Sequence, residues 1–173
     1  ATYVKTLNNS AIAICDTRKT TPGLRFLEKA AVKAGGGVNH RFNLSDMILI
    51  KENHLAVLEK AGGLTSLTTL LAQAKQRQPN LKAEIEIENI QQLHDLDLSL
   101  CDYIMLDNFS IADIPQAASL CRQLYPKAKI EVSGNVSLTT ISSYRHLDID
   151  RISVGALTHS VPAFDISLRI ESV

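Results

Sequence analysis

AEIEIEN, from Ala83 to Asn89, alternates acidic and aliphatic side chains. In an extended strand Glu84, Glu86 and Glu88 share one face and Ile85 and Ile87 the other, because successive side chains point to opposite sides. Strands at the centre of a doubly wound open sheet are buried on both faces and read as nearly unbroken apolar runs. This stretch does not. With the isoleucines packed beneath helices, the three carboxylates point toward the middle of a barrel. The same parity sets Glu131 with Ser133, and Met47 and Leu49 with Lys51. The rival is a half-exposed strand with a solvated acidic face, common in antiparallel sheets, and the segments on either side weigh against it.

Those segments alternate between the two periodicities. Strand-like runs span Ala11 to Cys15, Met47 to Lys51, Tyr103 to Asp107, Lys129 to Gly134 and Arg151 to Gly155. Helical stripes lie between them. One starts at Pro22, carries Leu24, Leu27, Ala31 and Ala34 on one side, and stops at Gly35, Gly36 and Gly37. A second follows Lys51 and stops at Gly62 and Gly63; a third, marked by Leu67, Leu70, Leu71 and Ala74, ends before Pro79. Shorter helices are expected from Ile90 to Leu96 and from Ser137 to Tyr144, and a longer one on Ile114, Ala117, Ala118 and Cys121. Strand and helix in alternation mean a parallel sheet covered by helices. The expected class is therefore α/β, an incomplete (open) TIM-like barrel of six or seven parallel strands in one domain, residues 1–173. DISLRI, residues 165–170, reads either as the seventh strand or as a segment that packs on something outside this chain.

Composition narrows the function. The chain has 173 residues, 45% hydrophobic, enough for a real core without metal or disulfide staples. Its 18 basic and 18 acidic side chains cancel, so overall charge supports neither a nucleic-acid nor a membrane-surface partner. Cys15, Cys101 and Cys121 are odd in number and set in apolar runs, as reduced buried thiols of a cytoplasmic protein are. No apolar run reaches the roughly 20 residues that span a bilayer, and the first ten residues lack a signal-peptide layout. The chain begins without Met, close ahead of its first apolar run, as a piece of a longer protein does.

Barrel enzymes carry their sites at the C-terminal ends of the strands. Here those ends hold Arg18 and Lys19, Lys51, Glu86 and Asn89, Asp107 and Asn108, Ser133 to Asn135, and Gly155. They sort by sign. Arg18, Lys19, His40, Arg41 and Lys51 belong to the early strands and want an anion; Glu86 and Asp107 belong to the middle ones and suit a divalent metal, Mg²⁺ carried by phosphate groups. Thr20 and Thr21 before Pro22 resemble a helix start with free N–H groups, a second place for an anion. Late-strand loops with small residues, Ser133-Gly134-Asn135 and Gly155-Ala156 with His159 nearby, are where this architecture holds phosphate. Glu84 and Glu88 read equally well as internal partners for the lumen cations. His94 and His146 read as surface groups, whereas Asn53 and His54 divide evenly between helix capping and site contact. No GxGxxG, Walker loop, CxxC pair or nucleophile elbow occurs.

TRKTTPGLRFLEKAAVKAGGGVNHR, LIKENH, AEIEIEN, MLDN, SGN and SVGALTHS, in this order and with these gaps, closely resemble the quinolinate phosphoribosyltransferase family, the carboxylating nicotinate-nucleotide pyrophosphorylases. The resemblance covers essentially the whole chain, and its TRKT and GGxxNHR signatures are highly specific. It implies attack of quinolinate on C1 of phosphoribosyl pyrophosphate, departure of pyrophosphate and loss of the 2-carboxylate as CO₂, giving nicotinate mononucleotide for NAD synthesis. By the same resemblance Arg18, His40 and Arg41, helped by Thr17, hold the two carboxylates; Lys19 and Lys51 lie between the substrates. Glu86 and Asp107 meet the Mg²⁺–substrate complex and the ribose, and Ser133, Gly134, Asn135, Gly155, Ala156 and His159 surround phosphate. The alternatives are another type II phosphoribosyltransferase with nicotinate as acceptor, or a non-catalytic phosphate-binding barrel.

Family members also carry an N-terminal α/β domain, which in the homodimer, or a higher homo-oligomer, caps the partner's barrel with further basic groups. That domain is absent from this sequence. The 173-residue chain is therefore expected to bind phosphate-type ligands weakly and turn over poorly, and normal steady-state turnover by the chain alone would overturn the expectation.

Overall fold

The computed structural model describes residues 1–60, 63, 66–160 and 165–171. Six stretches form strands β1 Ala13–Cys15, β2 Met47–Ile50, β3 Lys82–Ile87, β4 Tyr103–Asp107, β5 Lys129–Ser133 and β6 Arg151–Ser153. Helices α1 Thr2–Leu7, α2 Arg25–Ala34, α3 Glu52–Lys60, α4 Ser66–Arg77, α5 Gln92–Asp95 and α6 Ile114–Leu124 lie between or before them. All pairings are parallel, and the spatial order is β1-β6-β5-β4-β3-β2. From β2 round to β6 and then β1, that order follows the chain without the reversal that makes a doubly wound sheet. The sheet is an open barrel.

Its seam lies between β1 and β2, and among the described residues no strand pairing closes it. Cys15 instead forms an isolated bridge with Val38, and Arg41 Nη1 donates to the Met47 carbonyl at 3.0 Å. A loop that ends in functional residues thus completes the wall. On the outer face Ile85, Ile87, Ile104, Leu106, Ile130 and Ile152 are wholly buried in one core with Leu93, Ile114 and Ala117. At about 1.5–3 kcal/mol for each fully buried aliphatic side chain, this face supplies most of the drive for closure. The inner face carries Glu84, Glu86, Met105 and Glu131, as the parity of AEIEIEN requires. Glu88 departs from that expectation: β3 ends at Ile87, and Glu88 is exposed with its N–H donating to Gln92 Oε1.

Other local expectations also shift. The helix expected from Pro22 begins at Arg25, and its expected apolar stripe faces outward, with Leu24 44% and Leu27 62% exposed. Lys29 is the buried residue of α2, drawn inward by Asp16. Ser137 to Tyr144 forms a hydroxyl-rich turn and a 3-10 turn at Ile141–Tyr144, because Ser137 and Thr140 hydrogen-bond to each other's backbone. Such local bonds compete with a regular helix. Gly62 lies outside the described residues; Gly63, with φ 113°, turns the chain after α3. DISLRI forms no strand, and Ile166, Leu168 and Ile170 are 79%, 88% and 91% exposed. The sequence also gave no hint of α1, whose terminal carbonyls at Thr6 and Leu7 accept from Arg145. No helix among the described residues is long and apolar enough to cross a membrane.

The three thiols are free and buried, as their apolar settings implied. Burial, foremost, pushes Cys101 and Cys121 up to about 12, so both stay protonated and unreactive. Asp102 anchors the start of β3: its carboxylate accepts from Lys75, Lys82 and the Ala83 N–H, at 2.8, 2.8 and 2.9 Å. Burial opposes its ionisation, but these donors outweigh it and hold the carboxyl below its ordinary range. A folded-state pKa below the unfolded one adds stability above the unfolded value, and that stability is lost as pH falls through the folded value. Asp102→Asn is therefore expected to flatten the fall of urea midpoint below about pH 4, and an unchanged acid profile would show the anchor to be idle.

Candidate active site

β1 ends at Cys15 and delivers Asp16, Thr17, Arg18 and Lys19 into the barrel mouth; the loop after α2 delivers His40 and Arg41; β2 delivers Lys51. With Glu86, Asp107 and Ser133 from the next strand ends, all of these side chains except the buried Asp16 line a cavity of ≈ 280 Å³, near the small end of ligand sites. A second hollow of ≈ 340 Å³ adjoins it through Thr17, Lys19, Asp107, Ser133 and Ser153. Gly134, Asn135, Gly155, Ala156 and His159 form its far wall. Every residue that the family resemblance assigns to the site lies on one of the two hollows.

The cations crowd one another. Burial first, and then the neighbouring Arg18 guanidinium, press the Arg41 pKa down. Arg18 Nε is buried and donates to no group among the described residues. Two guanidiniums that repel, one of them with an unsatisfied buried donor, suit a ligand with two negative charges. Across the cavity the carboxylates do the same. Burial first raises the Glu86 pKa, and the charge of Asp107 adds to it against the pull of Lys51. Lys51 Nζ donates to both Glu86 oxygens, at 2.7 and 2.8 Å. Asp107 accepts from the Asn108 amide on one oxygen. Glu86 and Asp107 are hard oxygen donors that repel each other, which fits a Mg²⁺ ion arriving with phosphate oxygens of its own.

In the second hollow the backbone is shaped for close approach. Gly134 has φ 95°, and Asn108 and Asn135 adopt φ 57° and 50°, the left-handed region where Gly and Asn are cheapest. A Cβ on Gly134 would strike Asn108, and one on Gly155 would strike the His159 imidazole. Thr158 donates to the Lys19 carbonyl at 2.7 Å, tying the β6 loop to the β1 loop. Gly155–Leu157 is a single 3-10 turn. The anion place expected at Thr20 and Thr21 does not form: the Thr21 N–H already donates to Glu28 Oε2 at 3.1 Å.

Beneath the mouth lies a buried ionic cluster that the sequence only partly disclosed. His40, Glu84 and Glu131 come within 4.8 Å of one another, a spacing a metal could use, but the Arg151 guanidinium already sits there. Arg151 pairs with Glu84 at 2.8 Å and with Glu131, and stacks 3.5 Å from the Tyr103 ring centroid. Burial and then the Glu84 charge push the Glu131 carboxyl well up, Arg151 opposing them. Ser153 donates to Glu131. Around β1, Asp16 accepts from Lys29 Nζ at 2.5 Å, Asn39 Nδ2 at 2.5 Å and the His40 N–H at 2.9 Å. Reading the sequence missed Asp16, Lys29, Asn39, Arg151 and Ser153. A buried lysine opposite an acid 13 residues earlier in the chain leaves no periodic signal. Asn89 lies outside both hollows and caps α5 through its Oδ1, and His54 caps α3 by accepting the Lys51 N–H. His94 and His146 are exposed, as expected.

Residues 1–169 match the family described as quinolinate phosphoribosyl transferase, C-terminal domain. A probable nicotinate-nucleotide pyrophosphorylase [carboxylating] of Bacillus subtilis (strain 168) is 41% identical over 167 residues, covering 96% of this chain and 55% of that protein. Among solved structures, NadC from Streptococcus pyogenes superposes with a TM-score of 0.79 at 44% identity, over 92% of this chain and 53% of that one. The nicotinate-nucleotide pyrophosphorylase from Francisella tularensis gives 0.80 at 40% identity, over 95% and 56%. The chain spans about half the length of the relatives it matches.

Proposed function

Because the chain belongs to the quinolinate phosphoribosyl transferase C-terminal domain family, we propose that it is the barrel that joins quinolinate to phosphoribosyl pyrophosphate and releases pyrophosphate, CO₂ and nicotinate mononucleotide in NAD biosynthesis. The observation that carries this reading is the facing of two self-repelling clusters across one cavity, Arg18 with Arg41 and Glu86 with Asp107. A diacid relieves the first, and a magnesium-bearing sugar phosphate relieves the second.

Arg18 and Arg41, with Thr17 at the edge, grip the adjacent carboxylates of quinolinate and fix the ring nitrogen toward the second hollow. Ser133, Gly134 and Asn135, with Gly155, Ala156 and His159, take phosphate. Mg²⁺ would be held by Glu86 and Asp107 and would neutralise the departing pyrophosphate. Lys51 and Lys19 lie between the two halves. Lys51 leaves Glu86 for the anion as substrates enter, which frees that carboxylate to face the positive charge that develops on the ribosyl ring. Nucleophile and C1 are then held in reacting distance, the main contribution of the site to rate. The quaternised ring nitrogen stabilises the carbanion at C2 when CO₂ leaves, and C2 then takes a proton from solvent, so this step asks the protein mainly for orientation. The reading includes a cytoplasmic enzyme, the family's N-terminal α/β domain and a homodimeric complete protein.

The test is calorimetric titration with quinolinate and with nicotinate. One carboxylate leaves one guanidinium unpaired, so quinolinate is expected to bind at least about tenfold more tightly. Preference for nicotinate would overturn the proposal.

A further inference from the structure

We propose that Arg25 is a positioning residue, a clamp behind the mouth that holds the loop carrying Arg18 to the loop carrying Arg41 and so fixes the spacing of their guanidiniums. The effect on quinolinate rests on the function proposed above; the clamp itself does not. Arg25 opens α2, outside both hollows, and is half-buried. Its Nε donates to Thr20 Oγ1 at 3.0 Å, its Nη2 to the Arg18 carbonyl at 3.4 Å and its Nη1 to the Phe42 carbonyl at 3.5 Å. The planar fork thus reaches both loops at once, which donors set on one point could not do.

Little else joins these loops. The Val38 N–H donates to the Ile14 carbonyl at 2.8 Å, and the Asp16 N–H to the Val38 carbonyl at 3.2 Å. One turn along α2 from Arg25, on the same face, Lys29 ties Asp16 Oδ1 to the His40 carbonyl from within. Beyond Asp16 the pairing stops. Among the described residues no hydrogen bond runs directly between residues 17–21 and 39–44, and Arg25 is the side chain that reaches both. The two guanidiniums meanwhile repel, and the buried Arg18 Nε has no partner among the described residues to hold it. A gap that opened under this repulsion would have to be closed again by the ligand, at a cost in affinity. The same contacts explain why the apolar stripe of α2 turns outward: its inward face is taken by Arg25 and Lys29. Lys19 is anchored separately, its carbonyl accepting from Thr158 at 2.7 Å, so loss of the clamp falls on the diacid half of the mouth.

The experiment compares Arg25→Met and Arg25→Lys with the parent chain. Lysine keeps the charge but not the fork. Backbone ¹⁵N order parameters of the ligand-free chain at Arg18, Thr20 and Phe42 are expected at about 0.85 in the parent and below about 0.6 in both variants, with β3, β4 and β5 unchanged. Unchanged order at these amides in either variant overturns the proposal, whatever quinolinate does. Calorimetry gives a second reading. Both variants are expected to lose about tenfold in quinolinate affinity, on the order of one net hydrogen bond, and less than about threefold in affinity for phosphoribosyl pyrophosphate with Mg²⁺. Full quinolinate affinity in Arg25→Lys beside a loss in Arg25→Met would assign Arg25 a long-range charge effect, and equal loss for both ligands would assign it general support of the fold. Either result, or unchanged quinolinate affinity in both variants, overturns the positioning. A parent chain that binds no quinolinate counts against the function alone, and the order parameters still decide the clamp.

Discussion

Arg151→Met is expected to lower unfolding stability by roughly 3–5 kcal/mol, the cost of leaving buried carboxylates without their cation. Arg151 is the bridge between Glu84 and Glu131, both fully buried, and methionine fills most of its volume without its charge. The loss should appear as a shift of urea midpoint with unchanged slope. It should also depend on pH in a definite sense. Glu131 already has a raised folded-state pKa, and removing Arg151 raises it further and carries Glu84 with it. For a group whose folded pKa exceeds its unfolded one, stability is fully present below the unfolded value, about 4.3 for Glu, and falls as pH climbs through the folded value. The deficit of the variant should therefore shrink on acidification. Adding Glu84→Gln and Glu131→Gln to Arg151→Met should recover much of the loss at neutral pH. A deficit under about 1 kcal/mol in Arg151→Met would mean that water, not Arg151, compensates the cluster.

Arg18→Ala should weaken quinolinate on the order of a hundredfold while changing phosphoribosyl pyrophosphate by less than about threefold, measured separately in the complete protein. Truncating one member of a desolvated charge pair costs roughly 2–5 kcal/mol, and Arg18 has its Nε buried and unpaired among the described residues, ready for a carboxylate. Its partner Arg41 is tied to the Met47 carbonyl at 3.0 Å and cannot move over to cover both carboxylates. Selectivity is the informative part. The second hollow, where phosphate is proposed to sit, is lined by residues of the β4, β5 and β6 ends and loops and by Thr17 and Lys19, with Arg18 outside it. Equal loss for both substrates would place Arg18 in general support of the mouth.

Lys51 connects these two predictions. It bridges Glu86 in the present arrangement and is half-exposed, whereas the ions below it are sealed. The upper ion pair can exchange its cation for a ligand at little cost, because water reaches it; the lower one cannot. Binding and stability are thus divided between two layers of the same barrel lumen.

The chain order of residue types was enough for the open barrel and for the sign-sorted mouth. Alternation in AEIEIEN set Glu84 and Glu86 inward, and strand ends bearing Arg18, Lys51, Glu86 and Asp107 could converge in one place once the strands were parallel and sequential. Periodicity is local, and these features are written locally. It misplaced α2 for the same reason: the Leu24 and Leu27 stripe obeys helical spacing, yet the buried contact of that helix is Lys29 on Asp16, a bond made across a fold and not along a chain. Six-residue α1 carries too few turns to show a period. Only the tertiary structure decided that Arg151 fills the space between Glu84 and Glu131, that Nδ1 of His40 accepts from the Arg41 N–H, and that Arg41 bridges the seam between β1 and β2. Each depends on which charges are desolvated together, and burial is a property of the folded volume that no single stretch of residues contains.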